Sequence, residues 1–176
     1  MSLELPYISI DDDFSLNFSI LILLISKLAL TSKNTAILDF EKIQIFFYLV
    51  KNPAKINSIL RLAGKKFAPI DSRYTYTIES LSTNVDILFD RTKLKFLLKE
   101  LAARGMLACD KGDSNKSVKY LLSDRGDEFA KQLLLNSDKK SEYFSAAADV
   151  INSLSSLQSQ TNSKLNSFLN ATFKRT

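Results

Sequence analysis

The hydrophobic pattern between Asp90 and Leu135 predicts a helix, a β-hairpin and a second helix. After Asp90, a suitable N-cap, leucines recur at three- and four-residue spacing, which favours one buried helix face: Leu94, Leu97, Leu98 and Leu101. Gly105 favours a helix stop, since glycine adopts left-handed conformations without strain. Residues 106–110 and 117–122 suit two short strands on either side of turn-forming residues. This order is the second half of a winged helix.

Two further helices are predicted before this segment. Apolar positions from Asp39 to Asn52 have helical period, and Pro53 is suited to begin a second helix that ends near Gly64. Residues 64–89 then form an insertion, in which 74–78 suits a strand and 85–89 a short helix. The predicted fold is therefore mainly α (α+β), a winged-helix domain with a small β-hairpin wing and additional N- and C-terminal helices.

The most hydrophobic part of the chain lies between Phe14 and Leu30. Its apolar run, Ile20 to Ile25, is too short for a membrane span, which needs about 20 mostly apolar residues. A helix that is apolar all round is buried, either in the core or in a subunit interface, and both alternatives stay open. The candidate interface residues here are Ile20, Leu21 and Leu24.

After Asn136 the composition changes to Ser, Asn, Gln and Lys, with apolar residues spaced for a long helix. Half of its heptad seam is polar, which favours an amphipathic helix that docks on another subunit or on the N-terminal helix. The serine-rich stretch 153–163 needs such support. Candidate interface residues are Ile151, Leu154 and Phe168. The predicted segments are 1–36, the winged-helix-like domain 37–136 and the tail 137–176.

Composition argues against an enzyme. The chain has no histidine, so imidazole-based catalysis and the commonest metal ligand are excluded. Its four glycines are scattered, with no phosphate-binding loop. We expect no cofactor and no metal. The single cysteine, Cys109, fits a small core residue in a reducing cytoplasm. Adjacent Glu41 and Lys42 fit a solvated helix start better than a nuclease cluster, and the Asp11–Asp13 run fits a helix cap.

Positive charge is concentrated in the predicted winged-helix part. The net charge of +5 is unevenly spread: residues 1–40 carry −3, residues 51–73 carry +5 and residues 90–122 carry +4. Six cations are candidate contacts to DNA or a partner: Arg91, Lys95, Lys99, Lys111, Lys116 and Lys119. The helix from Asp90 to Gly105 contains no Asn or Gln to read base edges. Non-specific contact with double-stranded DNA, sequence-specific binding and a purely protein-binding adaptor are the alternatives.

The chain resembles the middle component of ABC-three-component systems, a group that includes the accessory subunit of Lamassu-type bacterial anti-phage and anti-plasmid defence. The similarity covers the apolar N-terminal helix, the segment Ile37–Pro53 and the unit Asp90–Leu135. It implies a cytoplasmic, non-enzymatic subunit that binds an SMC-like ATPase and helps to hold or regulate an effector, often a nuclease. The ATP chemistry would then belong to a partner.

Two other functions fit the same predicted fold. One is a free-standing winged-helix transcriptional regulator that dimerises through its terminal helices, and the other is a condensin-type winged-helix accessory subunit. A neighbouring gene for a large coiled-coil ATPase favours the middle-component hypothesis, whereas a lone gene beside a promoter palindrome favours the regulator.

Overall fold

The protein is mainly helical, with one small two-stranded antiparallel sheet. A computed structural model describes residues 13–75, 90–111, 117–135 and 139–174. Its elements, in chain order, are α1 (Phe14–Leu28), α2 (Phe40–Lys51), a 3₁₀ turn (Pro53–Lys55), α3 (Ile56–Leu62), α4 (Ser72–Thr75), α5 (Arg91–Ala103), β1 (Leu107–Asp110), β2 (Lys119–Leu122), α6 (Asp124–Leu135), α7 (Lys139–Ser153), a second 3₁₀ turn (Leu154–Leu157) and α8 (Asn162–Phe173).

The predicted order of helix, hairpin and helix is confirmed in α5, β1, β2 and α6. Gly105 ends α5 with a φ of 68°, the left-handed conformation that glycine tolerates. The strands pair from Leu107 opposite Leu122 to Asp110 opposite Lys119. The Tyr120 amide also donates to the Leu38 carbonyl at 2.8 Å, so β2 is fixed to the chain just before α2.

The insertion differs from its prediction where it is described. Ser72–Thr75 forms a helical turn, so the expected strand does not begin at residue 74. At this turn the Asp71 carboxylate accepts from the Arg73 amide at 2.9 Å, a local hydrogen bond that curls the backbone. The rest of that strand, the expected helix at 85–89 and the hairpin turn at 112–116 lie outside the described residues.

Helix α1 forms the centre of the core. Asp13 caps it by accepting the Leu16 amide at 3.0 Å, as the acidic run predicts. Residues 17–25 are all buried, and α1 contacts α2, α5, α6 and α7. A helix covered on so many sides needs apolar residues all round, which explains the absence of a polar face. The structure therefore favours the core alternative for the Phe14–Leu30 segment.

The tail consists of two helices rather than the long one that its apolar spacing predicts. Helix α7 passes into the 3₁₀ turn at 154–157, and Thr161 then caps α8 by accepting the Lys164 amide at 3.3 Å. The serine-rich break has low helix propensity. Ending one helix and starting another at a new cap is therefore more favourable there than continuing a single helix. As one alternative predicted, the tail docks on α1, and apolar residues of all three predicted segments share one core cluster.

Candidate interaction surface

The outer side of α5 is a cationic face fixed by the leucines behind it. The carboxylate of Asp90 caps the helix by accepting the Thr92 amide at 3.0 Å. The four leucines at 94, 97, 98 and 101 are buried in the core, so the opposite side of the helix faces solvent. Arg91, Lys95 and Lys99 follow at four-residue spacing and are exposed. With Phe96 beside them, these residues are called the α5 face below.

Phe96 connects the α5 face to an aromatic cluster at the start of α1. Its side chain is 50% exposed, and its ring lies edge-on to that of Phe14 with centroids 5.8 Å apart. Phe14 is itself 36% exposed and lies 5.3 Å from buried Phe18. Two aromatic side chains thus remain partly uncovered where α1 and α5 meet.

Arg104 borders this cluster at the end of α5. Its guanidinium lies 5.3 Å from the centroid of Phe18 and 5.9 Å from that of Phe14, within cation–π range. It also pairs with Glu100 at 3.4 Å, so Glu100 does not neutralise the lysines of the α5 face. The cluster therefore presents aromatic rings bordered by positive charge.

The six cations predicted to contact DNA or a partner do not lie together in the structure. Arg91, Lys95 and Lys99 share the α5 face, and Arg91 also lies 5.7 Å from the Phe40 ring centroid. Lys111 is exposed after β1, and Lys116 lies outside the described residues. Lys119 is not a free surface cation, because its ammonium pairs with the Asp39 carboxylate at 2.9 Å. Its place on the predicted wing suggested a contact to DNA or a partner, but β2 is hydrogen-bonded to the chain before α2.

The six candidate interface residues belong to the core of the chain itself. Five are buried almost completely: Ile20, Leu21, Leu24, Ile151 and Leu154. Phe168 is partly buried and packs against the same cluster. An interface through these side chains would require the core to open, because they are not exposed in the folded chain.

Sequence reasoning missed a group of polar side chains around Asp39, called the polar junction below: Asp39, Glu41, Lys42, Lys119, Gln158, Asn162 and Asn166. Asp39 caps α2 by accepting the Lys42 amide at 2.9 Å and also accepts from the Asn162 amide group at 3.0 Å. Burial alone raises the pKa of Asp39, but hydrogen bonds from Lys42, Lys119 and Asn162 outweigh it and hold the pKa below 3.8.

Lys42 is the least expected member of the polar junction. It is only 8% exposed, and its ammonium donates to the Gln158 carbonyl at 3.0 Å, whereas the sequence favoured a solvated helix start. Burial lowers the pKa of Lys42, an effect that the Asp39 carboxylate opposes. The Gln158 side chain in turn donates to the Leu28 carbonyl at 2.9 Å. The junction therefore ties α1, α2, β2 and the tail together.

No pattern in the sequence marks the polar junction. Asp39 is 80 residues from Lys119 and 123 from Asn162, and Gln158 is 130 residues from Leu28. The only local signal is that Asp39 is a suitable helix cap. Glu41 also has a partner that is distant in sequence, because its carboxylate accepts a hydrogen bond from the Asn166 amide group at 2.6 Å.

Another exposed aromatic side chain lies on the loop after α3. Phe67 is 65% exposed and follows exposed Lys65 and Lys66, so the loop carries two lysines and one phenylalanine. It borders a groove of about 960 Å³ between this loop, the end of α6 and α7. This group has the same residue types as the α5 face, but a loop holds it instead of a 13-residue helix.

Other candidate chemistry is limited in the described part of the chain. Cys109 is exposed on β1, so the expected core position is wrong; the outward side of a two-stranded sheet is not covered by the helices. The described residues contain no group of three or more Cys, Asp or Glu side chains placed to hold a metal ion. Within the same ranges, no helix has the length and apolar character to cross a membrane.

Comparison with known protein families identifies the family of this chain. The family model of the ABC-three component (ABC-3C) system Middle Component 4 matches residues 28–167, more than half of the chain. The chain belongs to this family. The resemblance to ABC-three-component middle components is thereby confirmed, and the chain has an accessory role in a system with partner subunits. Searches of curated proteins and of solved structures found no match.

The family match covers most of the described elements but almost none of α1. It begins at Leu28, the last residue of α1, and includes α2 to α7. The α5 face and all seven residues of the polar junction lie within the matched range. The rest of α1 lies before the match, although its side chains occupy the centre of the core.

Proposed function

We propose that this middle component is a non-enzymatic subunit that joins an SMC-like ATPase to an effector, as in Lamassu-type defence. Family membership is the observation that carries the proposal. A chain without histidine, whose acidic side chains Asp39 and Glu41 are taken up by internal hydrogen bonds, is suited to binding rather than catalysis. The unit from α2 to α6 serves as a winged-helix-type docking module, with ATP hydrolysis on the partner.

Co-expression with the neighbouring ATPase and effector genes tests this function. With the affinity tag on the ATPase, both this chain and the effector are expected in the eluate, with and without nuclease treatment. Omission of this chain should remove the effector from the eluate, because bridging requires it. A lone homodimer that protects one operator would instead establish the transcriptional regulator, and co-purification with a condensin ATPase alone would establish the condensin-type subunit.

Double-stranded DNA is a second candidate partner, favoured by the exposed stripe Arg91, Lys95 and Lys99. Lysines at four-residue spacing can contact successive phosphates without reading sequence. Each lost phosphate contact lowers the slope of log affinity against log salt by about 0.9. The assembly with Lys95→Glu and Lys99→Glu should therefore bind a duplex with a shallower salt dependence. An unchanged slope would exclude this role.

A further inference from the structure

The α5 face combines three properties that suit a binding surface. Its cations are aligned on one stripe, and Lys95 and Lys99 have no ion pair with any residue that the structure describes. A half-exposed aromatic ring, Phe96, lies beside that stripe and against a second exposed ring, Phe14. The helix beneath is held by four buried leucines, so these side chains are displayed on a rigid support.

We infer that the α5 face binds an acidic segment of a partner subunit, and that an apolar side chain of that segment covers Phe96. The inference rests on the proposed function, since it requires a partner subunit. Charge complementarity indicates the occupant: residues 90–104 carry a net charge of +3, and their acids Asp90 and Glu100 are engaged in capping and in the pair with Arg104.

The aromatic ring favours a protein over a nucleic acid. A DNA duplex offers phosphates to the two lysines but little apolar surface to Phe96, and α5 contains no Asn or Gln for base edges. Protein interfaces bury aromatic anchors at their centre and place charged side chains at the rim. Phe96 with Phe14 behind it supplies the anchor, and Lys95 and Lys99 supply the rim.

The test uses the co-expressed assembly and two matched triple variants. Lys95→Glu, Phe96→Ser and Lys99→Glu together remove the proposed site. Lys65→Glu, Lys66→Glu and Phe67→Ser together make the same change of charge and remove the same ring on the loop after α3. The α5 variant is expected to bind the tagged partner about tenfold more weakly or worse, and the loop variant as the wild type does. Equal binding by both variants overturns the inference.

A photo-crosslinking residue at position 96 identifies the occupant directly. The expected product joins position 96 to a partner segment with an excess of Asp and Glu, and the same crosslinker at position 67 does not give it. Crosslinks from position 96 to DNA, or to a neutral or basic segment, contradict the proposal. So does tight binding of the purified chain to short single-stranded or duplex oligonucleotides that the α5 variant loses.

The design separates this inference from the proposed function. If the wild-type chain does not co-purify with an ATPase or effector, the proposed function fails. If it does and the α5 variant is retained equally well, only the inference fails. Should the triple variant not fold, as judged by circular dichroism, the variant Lys95→Glu with Lys99→Glu keeps Phe96 and should still weaken binding, relative to Lys65→Glu with Lys66→Glu.

Discussion

Lys119 and Lys95 belong to the same basic stretch of sequence, yet the structure uses them in opposite ways. Lys119 is drawn into the polar junction by β2 and pairs with Asp39, whereas Lys95 stands on the α5 face without an ion pair among the described residues. The net charge of a segment therefore does not show which of its cations are available to a partner. That depends on which acids the fold brings near them, here an aspartate 80 residues away.

This contrast predicts that stability and binding respond to different substitutions. The side chains of the polar junction are buried or half-buried and are hydrogen-bonded to one another, so their loss removes partners from donors or acceptors inside the protein. Side chains on the α5 face are solvated, so their loss changes what the surface can bind. The following expectations test this division, from the largest effect to the smallest.

Asp39→Ala should have the largest effect, a loss of about 2–3 kcal/mol in the free energy of unfolding. The substitution removes the cap of α2, leaves the Lys119 ammonium without its carboxylate partner, and takes one of two carboxylate acceptors from Asn162, which keeps Glu41. Urea unfolding measures it as a lower midpoint. Asp71→Ala is the control, because its exposed pair with Arg73 should contribute little. Equal midpoints for the two variants would contradict the importance of the junction.

The stabilisation by Asp39 should depend on pH. Because the pKa of Asp39 is lowered in the folded state, the stabilisation is complete above the unfolded value of 3.8 and is lost as the pH falls through the folded value. Asp39→Asn keeps a capping side chain but does not titrate. The difference in unfolding free energy between wild type and this variant should therefore shrink from about pH 5 to pH 2. A constant difference would show that the charge of Asp39 contributes nothing.

A comparison of Lys119→Met with Lys95→Met tests the two regions with one substitution. Lys119→Met should cost about 1–2 kcal/mol, because Asp39 loses its charged partner in a half-buried position. Lys95→Met should change the free energy of unfolding by less than about 0.5 kcal/mol, since its side chain is exposed. Thermal unfolding of both variants at neutral pH measures this difference in stability. Similar losses in the two variants would contradict the contrast between Lys119 and Lys95.

Phe96→Ser should have a small effect on stability, about 0.5–1 kcal/mol. The ring has an edge contact with Phe14 and is half exposed, so the substitution loses much less buried surface than the loss of a core phenylalanine would. Chemical denaturation of the isolated chain gives this value, with Phe67→Ser as a more exposed control. A loss of several kcal/mol would mean that Phe96 is structural, and weaker partner binding by its variants would then have a second explanation.

The parts of the fold that the sequence predicts well are those set by nearby residues. Leucine spacing, the caps Asp13 and Asp90 and the stop at Gly105 are signals within a few residues of the structure they determine. The family resemblance also rests on such segments. The cationic stripe of the α5 face follows from the same helical periodicity.

What the sequence did not predict depends on distant partners. Burial of Lys42, capture of Lys119 and exposure of Cys109 are decided by which segment lies alongside, and helical or strand periodicity carries no information about that. The core position of Ile20 and Ile151 has the same origin. Each side chain looks equally suited to a subunit interface until the rest of the core cluster covers it.

The position of α1 also constrains the order in which the protein can be completed. Its carbonyl at Leu28 receives a hydrogen bond from Gln158, and its apolar surface is covered in part by α7. During synthesis from the N-terminus, these contacts can form only after nearly all of the described chain has been made. Helix α1, the first helix of the described residues, is thus among the last to be covered, and the core cannot form by adding one segment after another.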